Sequence, residues 1–151
     1  MKYKLTDVKI NFMGKTLFQI EAVKCFGDIV KGQKGGFIEK ESNLSQGGNA
    51  WVYGDAKVSG NAEVYGDAEV YGDAEVKGNA DYLVIGPIGS RNDITTFFKT
   101  ANNDIKVSCG CFTGTIEEFL EKVNETHGNN NYAKEYKTAV EIAKIHIFGG
   151  E

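Results

Sequence analysis

The stretch from Gly48 to Ala80, GNAWVYGDAKVSGNAEVYGDAEVYGDAEVKGNA, returns to the same residue classes every six positions. Written V-x-G-D/N-A-x, its units begin at Val52, Val58, Val64, Val70 and Val76. Alanine holds the fifth place at Ala56, Ala62, Ala68, Ala74 and Ala80, glycine the third, and Asp or Asn the fourth. An α-helix repeats every 3.6 residues, and a Gly-Asp or Gly-Asn pair in every unit would break it. Hairpin strands usually run longer than the few residues available between these turns. A parallel β-helix built from hexapeptides fits the pattern. Valine points inward from each flat side, alanine is small enough for a corner, and the Gly-Asp or Gly-Asn pair supplies a positive-φ turn. Three hexads complete one coil, which predicts Val52 on Val70, Val58 on Val76 and Tyr53 on Tyr71.

The repeat is too short to bury a core alone. The stretch before it carries Val30, Ile38 and Leu44 among turn glycines, so residues 29–81 are expected to form the solenoid with irregular first coils. Residues 1–28 read as a hairpin turning at Met13-Gly14-Lys15, which would cap the open end. Residues 82–151 read as several strands followed by two helices. Thr115 and Glu118 make a capping box ahead of Ile116, Phe119, Leu120 and Val123, Gly128 stops that helix, and Tyr132, Tyr136, Ala139, Val140 and Ala143 mark the second. The fold class expected is mainly β, a short β-helix with an N-terminal hairpin cap and a small C-terminal α+β module. No linker separates the parts near residue 81, so they are expected to move together.

A net charge of −4 gives no basic footprint for duplex nucleic acid. No segment is apolar and long enough to span a bilayer, and the N-terminus lacks the apolar core of a secretory signal. Cys25, Cys109 and Cys111 are odd in number, which argues against a disulfide framework and for a reducing cytoplasm.

The best candidate for ligand chemistry is IGPIGSRNDITT. Gly86, Gly89 and Ser90 offer backbone N–H groups that a phosphate can approach. Arg91, the only arginine of the chain, offers a bidentate fork, and Thr95 and Thr96 offer hydroxyls. The alternative is a structural turn with Arg91 paired to Asp93 or Asp104. Trp51, Tyr53, Tyr65 and Tyr71 form an aromatic edge able to stack on a base or to bury in a subunit interface. Cys109-Gly-Cys111 lacks a second pair for zinc and reads as two small packed residues. The turn residues Asp55, Asp67 and Asp73 alternate with Asn61 and Asn79, as turn formers rather than a calcium site. No metal and no cofactor is expected.

GGFIEKESNLSQGGNAWVYGDA, GSRNDITTFF, VSCGCFTGTIEEF and THGNNNYAKEY together resemble the hexapeptide-repeat proteins of Firmicutes phages and prophages and the C-terminal module attached to them. The resemblance implies a left-handed coil, since left-handed crossovers are rare elsewhere. It also implies a homotrimer and the cytoplasm of an infected bacterial host. Hexapeptide β-helices are often acyltransferases using a histidine base, but the repeats hold none, and only His127 and His146 are present. No catalytic residue is therefore assigned. The expected function is a non-catalytic phage protein that binds and sequesters a small phosphate-bearing nucleotide, of the cyclic nucleotide or cyclic ADP-ribose type. The alternatives are a structural or protein-interaction trimer and, behind it, an acyltransferase.

Overall fold

A computed structural model describes residues 1–149. Strands β1 (Tyr3–Phe12) and β2 (Lys15–Ala22) form an antiparallel hairpin turning at Met13 and Gly14. β3 (Lys34–Ile38) joins β2 antiparallel, with Phe18 opposite Ile38. The repeat then adds strands only two residues long: β4 (Trp51–Val52), β5 (Lys57–Val58), β6 (Glu69–Val70) and β7 (Glu75–Val76). β5 pairs parallel with β3 and with β7, and β4 pairs parallel with β6, so Val58 faces Val76 and Val52 faces Val70.

The columns read from the sequence are buried except at the last alanine, Ala80, which is exposed. Val52, Val58, Val64, Val70 and Val76 are inaccessible to solvent, as are Ala56, Ala68 and Ala74. They pack with Ile20, Ile38, Leu44, Trp51 and Tyr3 in one core. The turn glycines adopt positive φ, for example +62° at Gly60 and +58° at Gly54, except Gly78, which is extended. A Cβ at Gly60 would lie 2.5 Å from the Lys77 carbonyl oxygen, whereas one at Gly54 would meet nothing within 4 Å. Left-handed backbone costs an L residue roughly 1–2 kcal/mol, so Gly54→Ala should lose about that much. Gly60→Ala should lose clearly more, read as a lower urea midpoint. Equal midpoints would mean that Lys77 does not stack over Gly60.

The expected left-handed parallel β-helix has to be corrected, and with it the resemblance that implied it. The described residues form three separate sheets, none closed and none a solenoid: a mixed sheet in the order β1-β2-β3-β5-β7, the pair β4-β6, and a four-stranded antiparallel sheet. Two physical reasons stand out. Two-residue strands carry too little ladder to impose their direction on longer neighbours, and the ten-residue β1 with the eight-residue β2 extends the parallel rungs as an antiparallel hairpin. The third side of the repeat is only an isolated bridge, Leu44 to Val64.

The four-stranded sheet runs β8 (Tyr82–Ile88), β9 (Asp93–Lys99), β10 (Ile105–Cys109) and β11 (Phe112–Thr115) as a meander. Helices α1 (Ile116–His127) and α2 (Asn131–Phe148) follow. Thr115 caps α1 by accepting the Glu118 N–H while the Glu118 carboxylate accepts the Thr115 N–H, at 3.1 and 2.9 Å. Both faces of the sheet are covered. Tyr82, Val84 and Phe98 pack onto the repeat core, while Leu83, Ile85, Phe97, Ile105 and Val107 pack onto the helices with Phe119, Val123 and Val140. Side chains of successive strand residues point to opposite faces, so adjacent Phe97 and Phe98 belong to different cores. The sheet is pinned to the repeats by the Glu69 N–H donating to Thr96 Oγ1 (3.1 Å), by Lys106 on Asp73 (3.0 Å) and by the Ala101 N–H on the Asp73 carbonyl (3.0 Å). No helix of the described residues is long and apolar enough to cross a membrane.

Candidate functional site

A cleft of about 430 Å³ opens where the β8–β9 turn, the β10–β11 turn and the two helices meet. The volume lies in the range of small-molecule sites. Phe112, Phe119 and Tyr136 form its aromatic wall. Phe112 and Phe119 are 5.6 Å apart, the Phe119 and Tyr136 rings meet edge to face at 5.5 Å, and His127 lies nearly parallel to Tyr136 at 6.0 Å. Phe119, Val123 and His127 share one face of α1 through its i, i+4 spacing, and Tyr136 reaches them from α2.

The polar side of the cleft carries Arg91 and Lys122. Both are exposed, and among the described residues neither makes an ion pair. Among the described residues, Asp93 is the only carboxylate lining the cleft. Burial, with Cys109, Asp93 and Glu135 nearby, pushes the Tyr136 phenol up to about 12, so at neutral pH it is an uncharged hydrogen-bonding group. Burial also pushes the Cys109 thiol up, and that sulfur receives the Thr95 hydroxyl at 3.3 Å.

The structure divides the residues expected to act together. Arg91 and Ser90 line the cleft. Gly89 stands at its back, where its N–H donates to Glu135 Oε1 at 3.1 Å, so the one anion this amide serves is a carboxylate of the chain itself. Gly86 lies in an irregular part of the β8–β9 pairing, its backbone close against the Asp93 carbonyl. Thr95 and Thr96 are buried inside the sheet and face opposite cores, on Cys109 and on the Glu69 N–H. The pairing of Arg91 with Asp93 or Asp104 is not formed. Trp51 is fully buried against Tyr3 and Phe26, so it belongs neither to a base-stacking edge nor to a subunit interface.

Tyr53 and Tyr71 do stack, 4.0 Å apart and 9° from parallel. Both hydroxyls point at Glu69 Oε2, at 3.4 Å. Burial, and behind it the charges of Asp28 and Asp67, raise the Glu69 carboxyl against the lowering effect of the two phenols. This acidic cluster lies apart from the residues that line the cleft and repels an anion. Sequence reasoning missed Phe112, Phe119, Lys122, His127 and Tyr136 as site residues. Their signal was the polar residues Lys122, Thr126 and His127 flanking the apolar stripe of α1.

Among the described residues, no group of three or more His, Cys, Asp and Glu side chains is placed to hold a metal ion. No family model matches the chain, and no curated protein is significantly similar to it. The resemblance to phage hexapeptide-repeat proteins is corrected on both counts, by the mixed and antiparallel sheets and by the absence of a matching family. The sheets do not form a left-handed β-helix, and neither they nor any matching family supports a phage setting or an anti-defence sponge.

Proposed function

We propose that the chain binds and holds a small phosphate-bearing nucleotide in the Arg91 cleft. The observation that carries this is an arginine and a lysine without internal partners beside an aromatic wall in one concave site. A guanidinium fork matches two phosphate oxygens, and a flat ring gains area and quadrupole contact against Phe112, Tyr136 and His127. The glycine turn shapes the loop and leaves the anion to Arg91, Lys122 and the Ser90 hydroxyl, because Glu135 already holds the Gly89 amide.

Hydrogen bonds to charged groups contribute roughly 1.5–3 kcal/mol. Arg91→Ala should therefore weaken binding about ten- to a hundredfold, and lysine in its place should restore only part. Calorimetric titration against cyclic dinucleotides and cyclic ADP-ribose isomers checks this, with melting temperature as the folding control. Equal affinity in wild type and Arg91→Ala would reject the site. A homotrimer remains a separate proposal without Trp51 in its interface, and exposed apolar residues such as Tyr65, Ile142 and Ile145 are available to one. A monomer mass by light scattering at micromolar concentration would sink it.

A further inference from the structure

Two thiols share the cleft with the two unpaired cations. β10 turns into β11 through Gly110 and Cys111, with Cys109 paired to Phe112 across the turn. Among the described residues, Cys109 and Cys111 both line the cleft together with Arg91, Lys122 and the single carboxylate Asp93, so two cations stand against one anion there. Their surroundings differ. Cys109 is half-buried and takes the Thr95 hydroxyl on its sulfur, whereas Cys111 is exposed. Reactive cysteines sit in electropositive, partly exposed surroundings, and buried ones are inert. We propose that Cys111 is a reactive thiol that exchanges with anionic disulfides of the oxidised-glutathione class, and that Cys109 resolves the product. This goes beyond nucleotide binding and does not depend on it.

The steps balance. Cys111 loses its proton to water, and its thiolate attacks one sulfur of the disulfide. A bond from Cys111 Sγ to glutathione sulfur forms, the glutathione disulfide bond breaks, and one glutathione leaves as thiolate and takes up a proton. Cys109 then gives up its proton, attacks Cys111 Sγ and releases the second glutathione, which is protonated in turn. Two protein thiols are oxidised to one disulfide while one glutathione disulfide is reduced to two thiols. The raised Cys109 thiol suits the second step, since it is a poor first nucleophile whose attack is made intramolecular by the turn.

Cys25 is the internal comparison. It is exposed as well, but it lies in the N-terminal half, with its sulfur accepting the Lys31 N–H, and outside the cleft. The test treats nucleotide-free protein with oxidised glutathione and maps tryptic peptides, because residues 107–122 carry both cleft thiols in one fragment and Cys25 falls in another. In wild type that fragment should become lighter by two hydrogens. In Cys109→Ser the reaction should stop at a glutathione adduct on Cys111. At low salt this adduct should form about tenfold faster than one on Cys25, as expected when cations focus an anionic reagent. The excess should shrink in 1 M salt, where screening acts within about 3 Å, and in Arg91→Gln/Lys122→Gln. Equal rates at Cys111 and Cys25, or a rate unaffected by salt, would overturn the reactive thiol. A wild-type protein that keeps the mixed disulfide would overturn the resolving role of Cys109.

Discussion

Gly89→Ala should cost roughly 2–5 kcal/mol of stability and deform the cleft. Two effects add. The residue sits at φ +79°, and a Cβ there would fall 1.8 Å from the Tyr136 hydroxyl oxygen and 2.3 Å from the ring carbon that bears it. Left-handed backbone costs about 1–2 kcal/mol, and overpacking a filled site typically costs about 1–3 kcal/mol more. Phe119 edge-on at 5.5 Å and His127 over the ring at 6.0 Å leave Tyr136 only the cleft to retreat into. The variant should melt well below wild type and lose nucleotide affinity together with stability. Removing the ring tests the cause. Tyr136→Ala is destabilising by itself, but in the Gly89→Ala background it should restore part of the loss, so the two changes would be strongly non-additive. Simple additivity of the two melting shifts would show that the phenol does not rest on Gly89.

Trp51→Ala should be comparably severe, about 3–5 kcal/mol, as for other large aromatic residues removed from a core. The indole is fully buried in the repeat core. Phe26 meets it at 5.3 Å and Tyr3 at 6.3 Å, both edge to face. A Cβ at Gly35 would come within 2.6 Å of the Val52 carbonyl oxygen, 2.7 Å of Ile20 and 2.8 Å of the indole ring. The space left by alanine cannot close easily, since β3 is hydrogen-bonded to β2 on one side and β5 on the other, and β4, which carries Trp51, is tied to β6. The indole N–H has no partner among the described residues, so its burial already carries a penalty. Trp51→Phe should therefore cost far less than Trp51→Ala, because it keeps most of the area and drops the unpaired donor. Thermal unfolding followed by circular dichroism gives both values. A Trp51→Ala protein as stable as wild type would remove the indole from the core.

What was legible in the sequence is what depends on short range. The hexad columns were legible because valine and alanine recur in fixed places, and pairs such as Val58 with Val76 follow from counting. The α1 cap was legible because Thr115 and Glu118 need only each other. The sheet arrangement was not. Phe18 opposite Ile38 is a pairing across twenty residues of chain, and no hexad records it, yet it makes the largest sheet mixed. The ITTFFK stretch misled for a related reason. A strand buried on both faces shows no alternation, so nothing in it revealed that both faces are covered and that neither Thr95 nor Thr96 looks toward a ligand. Arg91 was legible as the sole arginine beside a glycine turn. Its neighbours in the cleft were not, because Lys122 and Tyr136 approach it through helix packing rather than along the chain.

The four-stranded sheet has one more consequence, for anyone who cuts the protein in two. A cleavage just before Tyr82 would leave the repeats with a bare end where Phe98 had been, and Thr96 would no longer receive the Glu69 amide. The other fragment would carry Tyr82, Val84 and Phe98 on an open apolar face. Each piece would be an incomplete layer with a sticky side. The halves are thus a poor source of interchangeable modules: grafting the helical part onto another scaffold would succeed only if that scaffold supplied a matching floor for the sheet.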